Sequence, residues 1–193
     1  MVYTPNSSIE ALVEGCKAQD RLAQQYLYKR LFSQMLGVAM RYAKDRNDAE
    51  SNLNMAFLKV FQSINNYVGP APFPHWVYRI VVHTSIDELR KTLRIKYLSF
   101  ADFPLEGSTH NNGLEQLGAE DIYKCIQQLE PTTRSVFSLY EVEGYKHAEV
   151  AEQLGIAENT SKWYLAKAKK ELKTIIEGQY GVQEEFLKVK KAN

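Results

Sequence analysis

The sequence predicts an all-α protein of two small helical domains joined by a linker. Three observations carry this. Apolar residues recur at three- and four-residue spacing over most of the chain, and no stretch alternates as a half-buried strand does. The periodicity stops after about Tyr97, where SFADFPLEGSTHNNGLEQLG is polar and rich in Gly, Asn and Ser. It resumes and ends in GYKHAEVAEQLGIAENTSKWYLAKAKKEL, residues 144–172, which reads as two short helices around a tight turn. A structureless stretch of that length is uncommon inside one compact domain. The expected layout is therefore a first domain over 1–96, a linker over 97–119, a second domain over 120–176 and a tail over 177–193.

Each element has its own signal. Ser8 is placed to cap a first helix, with Ile9, Leu12, Val13 and Cys16 at helical spacing. A second helix spans about 20–42, its apolar face made by Leu22, Tyr26, Leu27, Leu31, Met35 and Val38; KDRND breaks it. A third runs over about 48–64. Leu53, Phe57, Val60, Phe61 and Ile64 share one face, while Asp48, Ser51, Asn52, Met55, Lys59 and Gln62 share the other. NNYVGPAPFP, 65–74, has three prolines and a glycine and reads as a loop. A fourth helix covers about 75–93, with Val82, Ile86, Leu89 and Leu93 inward, joined by Tyr78. Trp76, His83, Asp87, Arg90 and Arg94 gather on another side. Beyond the linker, 121–128 is helical and Pro131 suits the first turn of a helix reaching about Val142.

Residues 144–172 have the layout of a helix-turn-helix, in which one helix braces and the next enters the DNA major groove. The first helix is about 147–154, with Val150, Ala151 and Leu154 inward, and Gly155 supplies the positive φ that ends it. Glu158 or Asn159 is placed to cap the second, whose Ser161, Leu165, Ala168 and Leu172 face the core. Asn159, Thr160, Trp163, Ala166, Lys167 and Lys170 face outward, with Lys162 and Lys169 near the boundary. Lysines meet phosphates or guanine edges, and small polar groups near a helix start bond phosphates. Asn159, Thr160, Lys162, Trp163, Ala166, Lys167 and Lys170 are the candidate DNA contacts. Trp163 has a competing reading as a residue buried against another helix or a partner. His147 reads as a surface residue at a helix start.

The bulk numbers exclude other classes. The net charge is +1, so nucleic-acid affinity has to come from local patches. Cys16 and Cys125 form no CxxC pair and the four histidines complete no zinc spacing, so no metal or cofactor is expected. The N-terminus lacks the features of a signal peptide, and no apolar run approaches the ~20 residues of a bilayer span; a cytoplasmic protein without membrane contact is expected. There is no glycine-rich phosphate loop and no nucleophile constellation, so no enzyme is expected. Asp48 and Glu50 read as an acidic helix start that complements the dipole.

RNDAESNLNMAFLKVFQSINNY, then FPHWVYRIVVHTSIDELRK, then the C-terminal motif, resemble the extracytoplasmic-function sigma factors of bacterial RNA polymerase. The resemblance spans about 8–172, in the family's order and spacing. It implies a non-catalytic initiation factor that binds core RNA polymerase, at its largest-subunit clamp and flap regions, and promoter DNA, both duplex and melted. It places Asp48, Glu50, Ser51, Asn54, Met55 and Lys59 on the clamp-docking helix. It places reading and opening of the −10 element on the helix beginning near Trp76 and the loop before it. The second domain reads the −35 element, and an anti-sigma factor is an implied partner. Strand opening needs aromatics that stack on unpaired bases and cations that hold the backbone. Phe73, Trp76, Arg79, His83, Arg90, Lys91 and Arg94 are the candidates here. A plain helix-turn-helix regulator, binding duplex as a free dimer, is the competing reading; FLKVF and WVYRI oppose it.

Three departures from the family pattern stand out. Ser51, Asn54 and Met55 occupy places where the docking helix is usually charged or carries glutamine. His83 stands where asparagine is frequent, and its ring offers a different donor–acceptor geometry. Trp163 replaces a small polar residue, and lysines, which lack the bidentate fork, replace arginines. Together they predict weakened docking and reading, and dependence on a recruiting protein.

Overall fold

A computed structural model describes residues 3–69, 71–97 and 119–180, with the backbone alone for 94–97 and 119–120. Among the described residues every regular element is helical. By internal contacts the chain divides into two units, Met1–Ser99 and Phe100–Asn193.

The first unit holds α1 (Ile9–Lys17), α2 (Arg21–Ala39), α3 (Arg46–Ser63), a 3-10 turn (Ile64–Asn66) and α4 (Phe73–Tyr97). Three of these helices start on side-chain caps. Ala11 N–H donates to Ser8 Oγ at 3.2 Å, Leu22 N–H to Asp20 Oδ1 at 2.8 Å, and Asp48 N–H to Asp45 Oδ1 at 2.8 Å. The core is Leu12, Leu27, Met35, Leu53, Phe57, Val60, Val77, Val81 and Ile86, all nearly sealed from solvent. Gly15 lets α1 approach α2: a Cβ there would lie 2.5 Å from the Cβ of Ala23.

Three expectations need correction. Asn52 is buried (4% exposed), not on the outer face, because α3 packs on both α2 and α4 and its buried arc is wider than one stripe. Helix α4 starts at Phe73 rather than His75: His75 and Trp76 N–H donate to the Pro72 carbonyl at 2.9 and 3.3 Å. Pro74 sits in that first turn, where its missing N–H costs nothing. Helix α2 ends at Ala39 and gives way to turns before Lys44.

The second unit holds α5 (Ala119–Gln127), α6 (Pro131–Phe137), one π-helical turn (Ser138–Val142), α7 (His147–Leu154) and α8 (Glu158–Tyr180). Glu130 caps α6, accepting from Thr132 and Thr133 N–H at 3.0 and 3.1 Å. Arg134 is buried (4% exposed), yet its Nη1 donates to the carbonyls of Gln127 and Leu129 at 2.8 and 3.3 Å. It thus satisfies carbonyls at the end of α5, where a cation also complements the helix dipole. Helix α8 continues to Tyr180, four residues past the expected domain end. Lys173 pairs with Glu177 at 3.6 Å, and Gln179 exchanges amide bonds with Gln128 at 3.3 and 2.9 Å, which hold this last turn. Residues 98–118 of the expected linker (97–119) and residues 181–193 of the expected tail (177–193) lie outside the described residues.

Candidate nucleic-acid and protein-docking surfaces

In the second unit α7 and α8 meet across a tight turn. Gly155 ends α7 at φ 67°, ψ 37°, a left-handed conformation that disfavours any Cβ. Ile156 N–H donates back to the Ala151 carbonyl at 3.0 Å. Neither Glu158 nor Asn159 caps α8, contrary to expectation. Both lie inside its first turn, which opens with Ser161 N–H on the Ala157 carbonyl at 3.1 Å.

His147 does not sit on the surface as a free helix start. Its ring stacks on Tyr140 with centroids 4.4 Å apart, and its Nδ1 lies 3.0 Å from the buried Ser161 Oγ. It therefore pins α7 to α8. Burial, and then the nearby Lys162 ammonium, hold its imidazole below the usual range.

On the outer face of α8, Asn159, Lys162 and Lys170 are exposed, and Thr160, Trp163, Ala166 and Lys167 are half-buried. Trp163 meets Tyr164 edge to face at 4.9 Å, and the Lys167 ammonium lies 5.3 Å from its ring centre. Lys162 pairs with Glu158 at 2.7 Å, Lys167 with Glu171 at 3.8 Å and Lys169 with Glu141 at 2.9 Å.

In the first unit the start of α4 carries an aromatic cluster. Phe73 meets Tyr67 edge to face at 5.0 Å and Trp76 at 5.5 Å, and Tyr67 lies 5.6 Å from Trp76. Phe73 is buried (4% exposed), so its ring does not face outward as a DNA contact; it backs the half-buried Trp76. Tyr78 is half-buried and accepts from Arg41 Nη1 at 3.2 Å. Arg79 and His83 are exposed farther along α4. Arg90 lies 3.9 Å from Asp87, and Lys91 pairs with Glu88 at 2.6 Å, a bond that raises the lysine's proton affinity. The Arg94 side chain lies outside the described residues.

On α3, Ser51, Asn54, Met55 and Lys59 are exposed, with Asp48 and Glu50 half-buried. The acidic pair is engaged locally: Asp48 accepts from Lys44 N–H at 3.1 Å, and Glu50 from Arg46 Nε at 2.8 Å. Tyr28 of α2 donates to Asn54 Oδ1 at 2.8 Å, its ring braced on Phe57 at 4.7 Å. Lys59 reaches Asp87 of α4 at 3.7 Å, so it also ties α3 to α4.

Two family models match the chain: Sigma-70 region 2 over residues 27–95 and Sigma-70 region 4 over residues 119–172. The curated relatives are RNA polymerase sigma factors, several of them named as ECF sigma factors. The chain belongs to the extracytoplasmic-function sigma factors. It is 26% identical over 142 residues to the ECF sigma factor SigE of Mycolicibacterium smegmatis, covering 70% of this chain and 54% of that relative. It is 25% identical over 180 residues to the sigma-E factor of Haemophilus influenzae, covering 87% of this chain and 95% of that one. Among solved structures, a sigma factor RpoE in complex with the anti-sigma factor NepR from Bartonella quintana aligns over 79% of this chain and 95% of that one, at 17% identity and a TM-score of 0.43.

For this sigma factor, sequence reading missed Leu58 and Tyr28. Leu58 is 59% exposed on α3, beside Met55 at 39%, and together they make the outer face of that helix partly apolar. The available signal was an apolar residue lying off the Leu53–Phe57–Val60 stripe. Tyr28 had no local signal, because its partner lies 26 residues away.

Proposed function

We propose that this sigma factor acts in the cytoplasm as an initiation subunit of bacterial RNA polymerase, with no catalytic residue of its own. The carrying observation is the pairing, in one chain, of a region 2 unit and a region 4 unit, the latter built as a helix-turn-helix. In this reading α3 docks on the clamp of the largest subunit through Ser51, Asn54, Met55, Leu58 and the flanking Asp48, Glu50 and Lys59. The half-buried Trp76, backed by Phe73 and Tyr67, meets unpaired bases of the −10 element. Arg79, His83, Arg90, Lys91 and Arg94 hold and read the adjoining strands. Helix α8 enters the major groove at the −35 element with Asn159, Thr160, Lys162, Trp163, Ala166, Lys167 and Lys170, close to the polymerase flap.

Gel filtration of the tagged chain with core polymerase tests the reading. Co-elution with the polymerase supports it; binding to duplex sites as a free dimer, without association with polymerase, overturns it. The neutral, partly apolar face of α3 supports a further element, a recruiting protein that supplies what a charged docking face does not. In vitro transcription with core enzyme alone is then expected to initiate weakly, and strong promoter-selective initiation removes the recruiter from the reading. An anti-sigma factor, named for a relative in the solved complex, is a third partner of this reading, tested by a pull-down from the source cells.

A further inference from the structure

The recognition helix α8 carries five lysines between Glu158 and Lys173, which ought to make it a strong phosphate binder. Four of them face a carboxylate: Lys162 on Glu158, Lys167 on Glu171, Lys169 on Glu141 and Lys173 on Glu177, at 2.7, 3.8, 2.9 and 3.6 Å. Lys170 is exposed and stands outside these pairs. Two of the four carboxylates are placed where DNA would lie. Glu158 is the first residue of α8, beside Asn159 and Thr160, so its charge occupies the helix end that otherwise attracts a phosphate. Glu171 sits one turn from Lys167, on the side of the helix that carries Trp163. Glu141 lies in the π-helical turn, outside α8, and Glu177 shares the Trp163 side but lies toward the far end of α8, well beyond Lys170.

We infer that Glu158 and Glu171 set the strength and the salt dependence of duplex binding by neutralising the lysines of the recognition helix. This rests on the proposed function of α8. The pairs are exposed, with Lys162 and Glu158 at 53% and 50%, so they do not lock the lysines in place. They act on the phosphate by charge: a carboxylate at the contact face repels the backbone, and a lysine already paired releases fewer DNA counterions. The binding is therefore expected to fall less steeply with salt than five lysines imply.

The test is fluorescence anisotropy of the full-length chain with a labelled mixed-sequence duplex, between 20 and 200 mM salt (the range is on the order of that over which phosphate contacts are read). Glu158→Gln and Glu171→Gln are each expected to tighten binding about three- to tenfold and to steepen the salt dependence; Glu177→Gln is expected to do neither. A change in slope is something that a merely structural role of these glutamates would not produce. If the wild type is too weak to measure, the double variant is expected to bring binding into range. Unchanged affinity and slope in both variants overturn the inference, and weaker binding by Glu158→Gln overturns it in favour of a direct base contact by that carboxylate. Association with core polymerase, measured on the same variants, is expected to be unaltered. Its loss in the wild type would instead strike the proposed function.

Discussion

His147 joins two helices through one ring, and that makes its charge state a stability matter. Folding favours the neutral imidazole: burial opposes the charged form, Lys162 and Lys169 add to this, and Glu158 and Glu141 act against it. The folded pKa therefore lies below the unfolded value of about 6.5. The unfolded chain takes up the proton first as the solution is acidified, so the contribution is complete above about pH 6.5 and is lost as the pH falls from there through the lower folded pKa. Urea unfolding at pH 7.5 and 5.5 is expected to show a larger loss for the wild type than for His147→Gln (both pH values chosen to lie about one unit either side of the free imidazole). Gly155 is a second single-residue determinant. Its φ of 67° makes Gly155→Val costly, by about 1–2 kcal/mol or more, read as a lowered melting midpoint of the second unit. Phe73 illustrates how residue type alone misleads. The ring belongs to the class that stacks on bases, but it is buried behind Trp76 and serves as support.

At the scale of the element, α3 has two faces, one buried and one open to solvent. Its inner arc, Leu53, Phe57 and Val60, fills the space between α2 and α4. Phe57→Ala is expected to cost about 3–5 kcal/mol in urea unfolding, since it removes a sealed ring that also braces Tyr28. The outer arc is expected to affect association instead. Met55→Glu and Leu58→Glu should reduce co-elution with core polymerase about tenfold or more while leaving the melting midpoint within a few degrees, because both side chains are already exposed. Tyr28→Phe tests the positioning of Asn54: it removes one hydroxyl and keeps the ring, so a drop in polymerase affinity without unfolding identifies the hydrogen bond as the cause. Helix α4 divides in the same way, with Val77, Val81 and Ile86 inward and Arg79 and His83 outward.

For the whole molecule, the division into two units sets the expectation. Each has its own buried core, Leu53–Phe57–Ile86 in one and Leu139–Leu154–Leu165 in the other. Calorimetry is expected to resolve two transitions, with Leu154→Ala lowering one and leaving the other in place; a single transition displaced as a whole by that variant would contradict it. The net charge of +1 is the balance of a first unit with 13 Lys and Arg against 8 Asp and Glu, and a second with 11 against 15, so affinity for nucleic acid is a property of local faces and not of the chain at large.

The all-α class, the helix-turn-helix with Gly155 at its turn, and the family are legible along the chain alone. Each of these rests on local periodicity, on caps a few residues away, or on an ordered set of motifs, all of which are written along the chain. The cap at Ser8 and the inward stripe of Ser161, Leu165, Ala168 and Leu172 were legible for that reason. The features that sequence leaves open involve partners distant along the chain. A helical wheel assumes one buried stripe, so it put Asn52 outside, whereas packing on two neighbours buries it. The same limit hid the seal over Phe73, the Tyr28–Asn54 bond and the clasp of His147 between Tyr140 and Ser161. It also hid the Lys169–Glu141 pair, made between elements 28 positions apart, and so the extent to which the basic helix is already neutralised. Charge along a helix can be counted from sequence, but which charges are offered to a partner depends on what folding places beside them.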